Sequence, residues 1–208
     1  MRLASISIVK RLVKVLPFYL LTFLLLTNCS KDDAADEYRD WQKRNDAFFA
    51  SLEDSLARGE GQWMKFQSYS KDGKFIYAKV VTTGLETTET VSPMYNDSVL
   101  VSYEGRLMPS AVPLTGKGFR DGKVFDTTIY RTYDIRTNAM AHMKVAGTVN
   151  GFATALMRMH RGDTWLVYIP YSLGYGASEQ SSVPAYSTLI FMITLYDFAA
   201  EGVALPKK

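Results

Sequence analysis

Beyond Trp63 the chain holds one stretch of helical periodicity among short runs of strand-forming residues, and this contrast constrains its fold more than any other feature. Val149-Asn150-Gly151-Phe152-Ala153-Thr154-Ala155-Leu156-Met157-Arg158-Met159 places Val149, Phe152, Leu156 and Met159 on one helical face. Around it, Phe75–Thr83, Ser98–Leu107, Thr164–Ile169 and Thr188–Phe198 are short β-rich runs parted by turn residues such as Asp72-Gly73. The pattern predicts an antiparallel sheet with a single short helix covering one face, an α+β domain over 63–208. A length of 208 residues suits one such domain plus a small appendage, and a hydrophobic share of 47% is enough for a packed core.

The appendage begins with a targeting pattern. Arg2, Lys10, Arg11 and Lys14 precede an uncharged apolar run from Val15 to Leu26, which ends just before Cys29, the only cysteine. That run is about a dozen residues, whereas a helix that spans a bilayer needs roughly 20. Residues 1–28 therefore read as a secretory signal peptide. Leu26-Thr27-Asn28-Cys29 resembles a lipobox, with Asn28 where a small residue is usual, and implies a lipid on Cys29 that tethers the mature chain to a bacterial envelope membrane. Ser30-Lys31-Asp32-Asp33 resembles the short signal that routes lipoproteins to the outer face of the outer membrane; a solvated start to a tether is the equal alternative. With Cys29 acylated, no thiol remains for a disulfide, a metal site or nucleophilic catalysis.

Within the tether segment 29–62, Tyr38, Trp41, Phe48, Leu52 and Leu56 recur at helical spacing between about Asp36 and Arg58. Asp36 and Glu37 suit the positive N-terminal end of such a helix, and Gly59 and Gly61 supply a stop. An isolated helix of this length is marginal in water, so its apolar stripe must be covered. Docking on the domain is the favoured cover. A homodimer through this helix is the other, disfavoured by a Leu and Phe content that is modest for a coiled-coil seam.

Charge and residue inventory exclude several functions. Lys and Arg total 24 against 21 Asp and Glu, and four of those bases lie in the first fourteen residues, so the remainder is nearly neutral and nothing points to nucleic acid. His142 and His160 are the only histidines and lie on different elements without cysteines or paired carboxylates. No zinc site, catalytic triad or cofactor is expected.

Four separated segments then resemble the FKBP family of peptidyl-prolyl cis-trans isomerases, in that family's order and approximate spacing. They are Val99 to Leu107 with Tyr103-Glu104-Gly105; Gly122-Lys123-Val124-Phe125-Asp126; Gly151-Phe152 through Leu156, Met159 and Gly162; and Tyr171 to Gly176 followed by Val183 to Phe191. The resemblance implies a curled antiparallel β-sheet wrapped around one short helix, preceded here by the N-terminal amphipathic helix. It also implies an aromatic pocket for a substrate proline ring.

By that resemblance the catalytic pocket consists of Tyr103, Phe125, Asp126, Phe152, Tyr175 and Phe191, with Thr148, Val149, Val183, Arg131 and Met143 binding the rest of the substrate. Phe152 stands where the best-known members have Trp, and Met140 or Met143 where one or two aromatics are common. Thr148 replaces an apolar residue, and Arg131 follows Phe125-Asp126 at the family distance for pairing with the aspartate. Phe125, Phe152 and Phe191 would equally serve as core residues of an ordinary sheet packed on a helix. The implied function is isomerisation of prolyl bonds in polypeptides folding in the envelope. The rival is an FKBP-fold binding module or scaffold in an envelope complex, suggested by the altered pocket and the long stretch from Met108 to Asp121.

Overall fold

The computed structural model describes residues 37–81, 90–109 and 121–205; the predicted signal peptide, Cys29 and most of the Met108–Asp121 stretch lie outside these. The chain divides into two compact units, Met1–Arg39 and Asp40–Lys208, and every element below belongs to the second. Its order is α1 (Trp41–Ala57), β1 (Met64–Gln67), β2 (Phe75–Val80), β3 (Ser98–Leu107), β4 (Val124–Thr127), β5 (Ala141–Lys144), α2 (Asn150–Leu156), β6 (Thr164–Ile169) and β7 (Leu189–Ala199). All strand pairings are antiparallel, in the order β1-β2-β6-β7-β3-β4, with β5 also on β3.

The long partners β3 and β7 pair from Ser98–Ala199 to Leu107–Leu189. That occupies one edge of β3, so β4 and β5 must share the other. β5 takes its first half (Val101 opposite Ala141) and β4 its second (Glu104 opposite Thr127). They lie end to end, and the segment between them leaves the sheet. This break in the edge is where the site forms.

Side chains alternate across a strand, and β6 shows the consequence. Ile169 packs against Gly151 of α2, where an added Cβ would overlap its Cγ2 atom. Its neighbour Tyr168 turns the other way, onto Phe48 of α1 at 5.8 Å between ring centroids. The sheet is thus covered on both faces, α2 on one and α1 on the other. Residues Gly151 to Leu156 of α2 are all buried, more than the single face expected from periodicity, because the sheet curls around the helix.

Helix α1 docks through specific bonds as well as apolar contact. Trp41 and Leu52 are buried, the Trp41 indole donates to Ser187 Oγ at 2.8 Å, and the Tyr77 hydroxyl donates to Glu53 at 2.6 Å. Gly59, at φ 69°, ends the helix: its N–H reaches Leu56 O and the next N–H, of Glu60, reaches Ser55 O, closing two otherwise unpaired carbonyls. Among the described residues no helix is long and apolar enough to cross a membrane.

Asn45 was not part of the predicted stripe, yet it is 1% exposed. Its carboxamide donates to Trp41 O and accepts the Thr188 N–H, both at 2.7 Å, so it ties α1 to the start of β7. Asn45→Ala leaves the buried Thr188 N–H without an acceptor. It is expected to lower stability by about 1–3 kcal/mol in urea unfolding, and a loss below a few tenths would show that the bond contributes nothing.

Candidate functional site

A β-bulge begins the site. Gly105 pairs with Asp126 while the next residue, Arg106, pairs with Val124, so Phe125 has no partner across the ladder. Such an extra residue re-aims its side chain. Here the extra residue is Phe125, which packs on Phe191 while its neighbour Asp126 lines a cavity. Phe125 packs edge-on against Phe191 at 5.3 Å between centroids, and Phe191 meets Phe152 at 5.0 Å and Tyr103 at 6.0 Å. Phe191 is therefore the hub of the cluster. Gly105 makes room for it, since a Cβ there would stand 2.5 Å from a Phe191 ring atom and 2.7 Å from one of Phe125.

Over these rings lies a cavity of about 280 Å³. Its floor is Phe152 and Phe191, 4% and 5% exposed, and its walls include Tyr103 from β3, Asp126 from β4, Met143 from β5 and Tyr175 from the loop after β6. Thr148 and Val149, together with Gly147, close the side formed by the turn into α2. Eight of the eleven pocket residues named from the sequence thus line one cavity. Gly147 was not foreseen, and no signal distinguishes it from any turn glycine. Phe125 is half-buried and packs edge-on against Phe191 without being one of the lining residues; Val183 is buried at 3% exposure, bridges Gln180 and is not a lining residue either. Arg131 lies in a different depression, beside Tyr130 and Thr132. Of the two groups that the resemblance offers to order Asp126, Tyr103 and Arg131, it is Tyr103 whose hydroxyl donates to the carboxylate, at 2.8 Å. The reason is local: after Thr127 the chain turns back on Tyr103, whose carbonyl accepts the Thr128 N–H, and this carries Tyr130 and Arg131 outward from the cavity.

The polar edge of the cavity holds two phenol donors. Burial, and after it the hydrogen bond to Asp126, hold the Tyr103 phenol above its ordinary value of about 10. Burial and then the charge of Asp126 do the same for Tyr175. Both phenols therefore remain protonated donors at neutral pH. Val149 is extended, its carbonyl accepts the Ala153 N–H, and among the described residues no hydrogen bond takes its own N–H. Val149 is itself one of the lining residues. Among the described residues no group of three or more His, Cys, Asp and Glu converges as a metal site would require.

The chain was compared with known proteins. A family model described as FKBP-type peptidyl-prolyl cis-trans isomerase matches residues 89–196. An FKBP-type 22 kDa peptidyl-prolyl cis-trans isomerase of Escherichia coli is 28% identical over 147 residues, covering 64% of this chain and 63% of that protein. An outer membrane protein, MIP, of Legionella longbeachae is 28% identical over 180 residues, 83% of this chain and 67% of the relative. Across such relatives the chain spans between 41% and 67% of their own length. A crystal structure of a peptidyl-prolyl cis-trans isomerase from Pseudomonas syringae shares the fold, with a TM-score of 0.51 at 23% identity over 78% of this chain and 96% of that one. The family's model matches more than half of the sequence, including every element around the cavity, and this chain belongs to the FKBP-type peptidyl-prolyl cis-trans isomerase family.

Proposed function

We propose that the protein is a peptidyl-prolyl cis-trans isomerase that takes a proline ring of a polypeptide substrate onto Phe152 and Phe191. The observation that carries this reading is the cavity itself: an apolar aromatic floor, a polar edge of Tyr103, Asp126 and Tyr175, and Val149 in its lining. Rotation about a prolyl imide is slow because resonance sets a barrier of about 18–20 kcal/mol. Resonance places charge on the carbonyl oxygen, so the planar imide loses more than the twisted one when water is removed. An apolar floor therefore favours the twisted state. The Tyr175 hydroxyl and the Val149 N–H would hold substrate carbonyls, and Asp126, oriented by Tyr103, would set a polar edge beside the twisting bond. Phe125 supports the floor through its edge-on contact with Phe191. No bond is broken and no covalent intermediate forms.

The lipobox-like Cys29, the signal-like residues 1–28 and the naming of a relative as an outer membrane protein support a lipid-anchored location in a bacterial envelope, with newly arriving proline-containing proteins as clients. The scaffold reading is less favoured, because Met143 lines the cavity without filling it.

The test is the isomerisation rate of short Xaa-Pro peptides with the purified protein beside a Phe152→Ala, Tyr175→Phe double variant. The parent should accelerate exchange and the variant should lose about tenfold or more in kcat/KM, since each factor of ten is about 1.4 kcal/mol of transition-state stabilisation. A folded parent that accelerates nothing would leave the scaffold reading.

A further inference from the structure

We infer that Arg131, in a second cavity beside the prolyl one, selects clients carrying an acidic residue a few positions to one side of the proline. This rests on reading the first cavity as the prolyl site. The second cavity, of about 260 Å³, is lined by Thr128, Tyr130, Arg131, Thr132, Thr137 and Asn138, with Ala139 completing it. One cation stands in that lining and no carboxylate does. Among the described residues Arg131 has no ion pair: Asp126 is bonded to Tyr103, and Asp134, the acid on the same loop, pairs with Arg136 at 3.4 Å. A guanidinium without an internal acid, at the wall of a concave site, presents a planar fork of donors whose geometry fits a carboxylate.

The linings of the two cavities are joined at β3 by a hydrogen bond. The Thr128 hydroxyl, in the second lining, accepts the N–H of Tyr103, in the first, at 2.9 Å. Tyr130, 82% exposed, belongs to the second lining. An extended peptide advances about 3.3–3.6 Å per residue, so a chain seated in the first cavity reaches the second within a few residues. Charge sets the sense of the selection. Asp126 makes the prolyl end negative and Arg131 makes the far end positive, so an acidic side chain is favoured where it reaches Arg131 and a lysine there is not.

The experiment compares host peptides bearing a single Glu, Gln or Lys at each position within a few residues of the proline. It reads kcat/KM for isomerisation and, with fluorescently labelled peptides, Kd by anisotropy. At one or two adjacent positions on one side of the proline, Glu should exceed Gln by about three- to tenfold, the scale of one charge-assisted contact at an exposed site. The ratio should fall to about one in Arg131→Ala and invert in Arg131→Glu, where the Lys peptide becomes the best. A ratio near one at every position in the parent, or a preference that survives Arg131→Ala, overturns the inference. Loss of the isomerase reading looks different: no peptide is accelerated, and the anisotropy ratios still decide the role of Arg131. Absence of binding to every peptide sinks both.

Discussion

Replacing Phe191 by alanine is expected to lower the unfolding free energy by about 3–5 kcal/mol, the usual range for deleting a buried phenylalanine. The side chain is 5% exposed and packs edge-on against Phe125, Phe152 and Tyr103. Its loss therefore removes both transfer free energy and three ring contacts. A folded unit of this size shifts by roughly 2–4 °C per kcal/mol, so the melting temperature should fall by roughly 6–20 °C. Circular dichroism melts of parent and variant measure it. A fall of only a degree or two would mean that the cluster collapses around the missing ring or is not packed as described. The same change removes half of the cavity floor, so isomerisation should disappear even below the lowered melting point.

Gly105→Ala is expected to separate function from folding. The backbone at Gly105 lies within β3, paired to Phe191 on one side and Asp126 on the other, so alanine suits the strand itself. The added methyl does not suit its surroundings, because it would stand 2.5 Å from Phe191 and 2.7 Å from Phe125. Both obstacles are ring atoms at the ends of side chains, and one of the two rings, Phe191, lines the cavity. Overpacking of this kind costs about 1–3 kcal/mol. The variant should therefore keep its far-ultraviolet spectrum, melt a few degrees lower, and lose about tenfold or more in kcat/KM as the rings shift into the proline site. A variant with parental activity and parental melting temperature would show that the two rings do not converge over Gly105.

The outcome at these two positions depends on information that the sequence carries unevenly. The long strands β2, β3, β6 and β7 were legible because six to eleven residues give room for a hydrophobic pattern, and their observed spans lie within a few residues of the predicted ones. The helix α1 was legible from its stripe and its glycine stop, but it starts at Trp41 rather than near Asp36, after Asp40 at φ 53°, and its first turn carries no acid. The four-residue strands β1, β4 and β5 were not, since four residues show barely two alternations and cannot be told from loop. Asn45 read as one more polar residue on a solvated face. Only the arrival of β7 at α1 turned it into a buried tie.

For the site, the Tyr103-Glu104-Gly105, Phe125-Asp126 and Gly151-Phe152 motifs identified the residues, because a motif records which side chains recur together. It does not record register. The bulge that leaves Phe125 unpaired against Phe191, and the return of the chain onto Tyr103 that sends Arg131 into its own cavity, follow from which backbone groups pair across β3 and β4. The amino-acid order thus determined the fold class, the long elements and most of the residues lining the aromatic cavity. Whether Asp126 faces Arg131 or Tyr103 was decided by tertiary structure, because hydrogen-bond partners across a sheet depend on strand register, and one inserted residue changes the register without changing the pattern.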